Sequence, residues 1–303
     1  MHSFLSQFKR AGFSLESRVH ALKSFGGRLY IKRDDELSFL SNGSKLRKYE
    51  TLLPYLKEKD PALVALKGSA LSNHITGLTP LLKEWGLPFK LFLKRGEVEG
   101  TVQMRLLARF EEEIVWIERE EWSVVDEKVR ELHEEAFIVP VGGDHFSSLP
   151  GAMTLASDIL RNEEEWDLRF ETLLIDAGTG HQAISLLLGL ALLSEKREVD
   201  ILLVAGTEAA FEAKLQSYQR LVEERVERPL SLTPYTLRFP TTEKRFGPLS
   251  QKYRPRLESY MKREGLLLDP VYMGKQFLEI EQLKIKHPTL LIHTGGVLST
   301  LNS

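Results

Sequence analysis

A chain of 303 residues is long enough for two compact domains, and 42% hydrophobic with 28% charged residues is ordinary for a soluble globular protein. A formal net charge of −2 gives no basic field for nucleic acid, and the lack of cysteine excludes disulfides, thiolate metal sites and cysteine nucleophiles. Residues 1–10 lack the unbroken apolar core of a signal peptide. The most apolar run, Ala183 to Leu193, is too short to cross a bilayer, so the chain reads as cytoplasmic, with no membrane partner.

In chain order, Leu29 to Asp35 is extended and charged and leads into the loop Ser41-Asn42-Gly43-Ser44, which opens a helix with apolar Leu46, Tyr49, Leu52 and Leu53. Lys45 stands at the mouth of that helix. The helix dipole and Arg47, two residues on, are expected to lower its pKa, and a lysine that loses its proton near neutrality is what Schiff-base chemistry requires. A surface lysine in a first helical turn fits this segment as well.

Strand-like and helix-like stretches then alternate. Strands are predicted at 62–66, 89–93, 114–117 and 137–141, and helices near 73–84, 102–110 and 122–134. A second set has helices near 150–161 and 211–222, strands at 172–175, 201–204 and 289–292, and a helix at 183–193 buried on all sides. Such alternation implies parallel sheets covered by helices, with ligands at the carboxyl ends of the strands. The acidic runs at 111–113 and 163–165 read as solvated faces or turns.

Four loops carry chemistry. Asp176-Ala177-Gly178-Thr179-Gly180-His181-Gln182 joins a buried strand to the apolar helix; its glycines and hydroxyl suit a phosphate cradle, although a tight turn reads equally well. Gly68 to His74 has the same setting, either a carboxylate or phenolate site or an N-cap at Ser72. In Pro140 to His145, paired glycines allow close approach of a ligand or another segment, and Asp144 and His145 are either a candidate acid–base pair or ordinary solvated loop groups. His293-Thr294-Gly295-Gly296 follows the last strand. Upstream, Asp269 to Lys275 enters a helix, with Tyr272 either a wall of the cleft or a packed ring. The eight histidines show no ligand spacing, so no metal site is expected.

Lys32-Arg33-Asp34-Asp35, Gly43 to Lys48, Ser72-Asn73-His74, Pro140 to Gly143, Gly265 to Lys275 and His293 to Gly296 occur in the order found in one family. Together they resemble the fold type II pyridoxal-phosphate enzymes, in the branch of D-cysteine desulfhydrase and 1-aminocyclopropane-1-carboxylate deaminase. The resemblance runs from near residue 30 to the C-terminus. It implies an α/β, tryptophan synthase β-like architecture of two domains with open, mostly parallel sheets and a cofactor cleft between them. Residues 1–48 with 151–303 would form the large cofactor-binding domain and 49–150 the small one.

The same resemblance implies that Lys45 holds pyridoxal 5'-phosphate and later serves as base at Cα. Gly178, Thr179, Gly180, His181 and Gln182 would bind the phosphate, Asn73 would meet the phenolic oxygen, and Thr294 the pyridine nitrogen. Ser72, His74 and Tyr272 would lie on the substrate side, with Ser72 and Tyr272 beside Lys45 as catalytic residues. A neutral hydroxyl at Thr294 is expected not to hold the ring nitrogen protonated, favouring elimination over transamination. The implied reaction is β-elimination from a small amino acid to a 2-oxo acid and ammonia, in a homodimer.

The sequence departs from the family at Ser44 (usually Asn), Leu71 (usually Gln) and Asp144 (usually Ser). The deaminase has Glu at Met273 and Leu at Thr294, where the desulfhydrase has hydroxyl residues at both. Thr294 therefore matches the desulfhydrase, and Met273 matches neither. Alternatives are the deaminase activity, a cofactor-binding protein with little activity on standard substrates, and a phosphosugar or nucleotide binder using the Gly178 loop.

Overall fold

The computed structural model describes residues 1–41, 43–96, 100–111 and 113–302; Asn42 and Glu112, both named above, lie outside the described residues. The chain runs from α1 (His2–Leu5) through β1 (Val19–Ala21) and β2 (Leu29–Lys32) to α2 (Lys45–Lys59). Next come β3 (Val64–Ser69), α3 (Asn73–Glu84), β4 (Phe89–Lys94), α4 (Val102–Leu107), β5 (Ile114–Ile117), α5 (Val125–Leu132) and β6 (Phe137–Val139). The second half contains α6 (Leu149–Trp166), β7 (Thr172–Ala177), α7 (His181–Leu192), β8 (Glu198–Leu203) and α8 (Glu208–Val226). It ends with β9 (Tyr235–Arg238), α9 (Arg254–Glu264), α10 (Met273–Ile280) and β10 (Thr289–Ile292).

Two sheets result. One has six strands in the order β1-β2-β10-β7-β8-β9, and the other four, β5-β4-β3-β6. Only the β1–β2 pairing is antiparallel among the described residues. Central strands such as β10 are buried along their whole length, which is why they read as continuous apolar runs. Helix α7 is likewise buried at every residue and packs on α6. Gly189 allows that contact, since a Cβ there would fall 2.9 Å from the Met153 carbonyl oxygen.

The parallel α/β architecture is the one the alternation predicts. The missed elements lie at its margins: α1, β1, β9 and α9. Strand β9 is an edge strand with no buried residue, and α9 buries only Leu257, Tyr260 and Glu264, so neither carries a strong apolar period. The acidic run at 163–165 is not simply solvated. Glu163 accepts from the Phe170 amide at 2.7 Å and from the buried Arg197 at 2.5 Å, fastening the end of α6.

Helix α2 joins the two sheets. Its Leu46, Tyr49, Leu52, Leu53 and Leu56 enter the apolar cluster of the four-stranded sheet. Its Arg47, fully buried, turns the other way. It pairs with Asp34 at 2.6 Å and Asp158 at 2.7 Å, and Lys32 of β2 meets the same Asp158 at 2.5 Å. Gly151 of α6 lies so close that a Cβ would fall 2.1 Å from the Arg47 carbonyl oxygen.

Candidate active site

Lys45 opens α2 at the junction of the sheets. The preceding turn is stitched to the loop after β10: the Ser44 amide and hydroxyl each reach the Thr294 carbonyl oxygen at 3.0 Å. Gly43 has φ +79°, and a Cβ there would lie 2.6 Å from the Gly295 Cα, so only glycine fits. Burial lowers the pKa of Lys45, with Asp176 and Asp269 pulling it back up. The expected contribution of Arg47 is corrected: its guanidinium is directed into Asp34 and Asp158, and burial does the work instead.

Other loops close on the same place. A Cβ on Gly178 would fall 2.9 Å from the Tyr272 hydroxyl, one on Gly142 2.8 Å from the Thr179 methyl, and one on Gly143 2.8 Å from His74 Cε1. A Cβ on Gly296 would fall 3.0 Å from Asn73 Nδ2 and 3.1 Å from Asp269 Cγ. Thus Asn73, His74, Tyr272, Thr294 and the loop Gly178 to Gln182 converge. Ser72 acts as N-cap of α3, its hydroxyl accepting from the Ile75 amide at 3.4 Å. His74 is buried and takes a hydrogen bond between Nδ1 and the Tyr49 hydroxyl at 3.1 Å, while its Nε2 has no partner among the described residues.

The Asp144–His145 pair is not formed. Asp144 instead accepts from His181 Nδ1 at 2.9 Å, from the Tyr218 hydroxyl at 2.8 Å and from Lys214. Burial would raise this carboxyl, but the bonds to His181 and Lys214 hold it well below the usual range. His145 bonds to the Ser147 hydroxyl at 2.7 Å. His181 is pushed down to about 4 by burial and by Lys48, so it is neutral at pH 7. The carboxylate on Nδ1 fixes the ring proton there, leaving Nε2 3.0 Å from the Ser148 hydroxyl.

Three ionisable residues of the site were named within motifs in the sequence reading but given no role there. Lys48, one turn beyond Lys45, donates to the Gly142 carbonyl at 2.9 Å and is lowered to about 7 by burial and by Lys45. Asp269 accepts from the amides of Val271, Tyr272 and Met273 at 2.9, 2.7 and 3.0 Å, capping α10, and burial raises its pKa. Asp176, at the end of β7, accepts from the Thr294 hydroxyl at 3.0 Å, and burial with Asp269 raises it to about 7. One signal was present for Asp176: an acid directly following the apolar run Leu173 to Ile175. Among the described residues, no three His, Asp or Glu side chains are grouped to hold a metal.

Two mostly parallel sheets joined by the helix that begins at Lys45 make the type II fold of pyridoxal-phosphate enzymes, a fold shared with solved structures of an ACC deaminase homologue and a pyridoxal 5'-phosphate-dependent aspartate racemase. No family model matches the chain. More narrowly, it superposes on the crystal structure of an ACC deaminase homologue with a TM-score of 0.84 and 25% identity, covering 98% of this chain and 95% of that one. It is 27% identical over 293 residues to a putative 1-aminocyclopropane-1-carboxylate deaminase of Pyrococcus horikoshii, covering 92% of this chain and 88% of the relative. It is 23% identical to D-cysteine desulfhydrase of Serratia proteamaculans, covering 96% and 95% respectively. The chain is a homologue of this deaminase and desulfhydrase group.

The residues fit pyridoxal phosphate. Helix α7 begins without a side-chain cap behind Gly180 at φ +82°, which leaves first-turn amides for an anion. Lys48 supplies a nearby cation and Lys45 an amine whose proton is loosely held. Gln182 Oε1, buried and without a partner among the described residues, adds an unsatisfied polar atom at the same helix start.

Proposed function

We propose that the protein is a pyridoxal 5'-phosphate-dependent lyase of small amino acids, closest to D-cysteine desulfhydrase. With D-cysteine and water it yields sulfide, pyruvate and ammonia. The observation that carries this reading is Lys45, a buried amine with a lowered pKa, beside Asp176 at the end of the strand that leads into the uncapped, glycine-bounded start of α7.

The cofactor supplies an electron sink for the pair left at Cα. Lys45 would hold it covalently and, once the amino group of the substrate has displaced it, would be the free amine that takes the α-proton. Gly178, Thr179, Gly180, His181 and Gln182 would hold the phosphate with Lys48, Asn73 would meet the phenolic oxygen, and Thr294 would face the ring nitrogen. Ser72, His74 and Tyr272 would orient the amino acid. Loss of the β-substituent follows once Lys45 holds the proton. The packing of Tyr272 on Gly178 supports its place beside the phosphate loop.

Ring opening of 1-aminocyclopropane-1-carboxylate is the second reading, supported by the name that the Pyrococcus relative carries. Against it, Met273 is fully buried within an apolar cluster and offers no acid. Asp144, where the family usually has Ser, does not present a free carboxylate, since it is bonded to His181, Lys214 and Tyr218.

On the same resemblance the chain works as a cytoplasmic homodimer. No helix among the described residues is long and apolar enough to cross a membrane. We also place the domain boundaries at 48/49 and 150/151; each sheet has its own apolar cluster, with Leu15 and Leu46 joining that of the four-stranded sheet and Leu149 that of the six-stranded one. The test is an absorbance spectrum followed by assays for sulfide and pyruvate from D-cysteine, with the cyclopropane amino acid in parallel. A visible band lost in Lys45→Ala, with sulfide release, is expected. A colourless protein that turns over neither substrate overturns the proposal.

A further inference from the structure

The acid behind Thr294 was not expected. Thr294 has one hydroxyl proton, and its Oγ1 lies 3.0 and 3.3 Å from the two carboxylate oxygens of Asp176. An ionised carboxylate can only accept, so it takes that proton. The lone pairs left on Oγ1 can then only accept, and any partner on that side must bring its own proton. When Asp176 is protonated the chain reverses: its O–H donates to Oγ1, and the Thr294 proton is free to be given to a bare acceptor.

We propose that Asp176 is a positioning residue that sets the protonation of the cofactor's ring nitrogen through the Thr294 hydroxyl. This rests on the reading above in which Thr294 faces that nitrogen. In one arrangement the carboxyl holds the proton and the nitrogen is bare. In the other the Thr294 proton has passed to the nitrogen, which carries the charge, and the carboxyl proton has replaced it on Oγ1, from where it is donated back to the Asp176 carboxylate. In net, one proton is moved and none is gained or lost. The neutral hydroxyl thus acts as a link to an acid, and the sink at the reacting carbon deepens whenever Asp176 is ionised.

The surroundings suit an exchangeable proton. Lys45 on α2 favours the carboxylate, whereas Asp269 ahead of α10 opposes it, with Tyr272 beside both and His293 next to Asp269. The facing strand β8 presents Leu202 opposite Asp176 and adds no charge. Burial and Asp269 bring the carboxyl to about 7, where either arrangement is reached at ordinary pH. A residue needed only to tie β7 to the loop after β10 would serve as well without an ionisable group.

The test loads the holoenzyme with ¹⁵N-labelled pyridoxal phosphate and reads the ring nitrogen by NMR at pH 8. Wild type is expected to show the protonated signature. Asp176→Asn should move it to the unprotonated position, Thr294→Val should do the same should the first variant fold poorly, and Thr294→Ser should restore the wild-type signal. An unchanged nitrogen signal in coloured Asp176→Asn or Thr294→Val protein overturns this inference alone. A wild-type protein that forms no visible band with the cofactor overturns the Lys45 reading and this inference with it.

Discussion

The Asp176 carboxyl carries a pH signature that can be measured without any substrate. Its pKa rises from 3.8 to about 7 on folding, so between those values the folded chain holds a proton that the unfolded chain has released. Stability from this group is therefore present at low pH and lost as pH climbs toward 7, by about 4 kcal/mol at most. Cofactor-free Asp176→Asn should be more stable than wild type at pH 8 and lose that advantage at pH 5, read as urea midpoints. At Lys48 the expected effect is on affinity: Lys48→Met should weaken pyridoxal phosphate binding by about tenfold or more, the scale of one charge-assisted hydrogen bond, measured by titration. Lys45 was legible because a family motif surrounds it. Asp176 was not, since its meaning depends on Asp269 and Thr294, which the chain brings to it only after folding.

At the scale of the element, the N-terminus of α7 is the most exacting piece. Gly180 combines a left-handed backbone with contact to Phe211, to which a Cβ would come within 2.9 Å. Gly180→Ala should cost about 1–2 kcal/mol in stability and abolish tight cofactor binding, checked by thermal unfolding and by loss of the visible band. The interior elements were legible in the sequence, since a strand buried on both faces has no polar positions to obscure its run. Strand β9 and helix α9 were not, because β9 buries no residue fully and α9 only three, so neither shows a sustained apolar period. The Asp144 pairing failed for a related reason: adjacency in sequence suggested His145, whereas the acid's partners come from α7 and α8.

Across the whole molecule, α2 ties the two sheets through opposite faces, one apolar and one ionic. Arg47→Met leaves the fully buried Asp34 without its paired guanidinium, while Asp158 keeps Lys32 and Arg161, and should destabilise the protein by about 3–5 kcal/mol in urea unfolding, more than a surface arginine would. The ordering of motifs along the chain made the two-sheet plan legible, but nothing in the local pattern foretold a buried guanidinium anchoring the helix that carries Lys45.

The stitch between Ser44 and Thr294 spans 250 positions of sequence. Lys45 is therefore not seated until β10 has docked. A sample refolding with the cofactor present should regain far-ultraviolet ellipticity before it turns yellow. Colour and ellipticity recovering together would mean that the lysine turn is ordered without its distant partner.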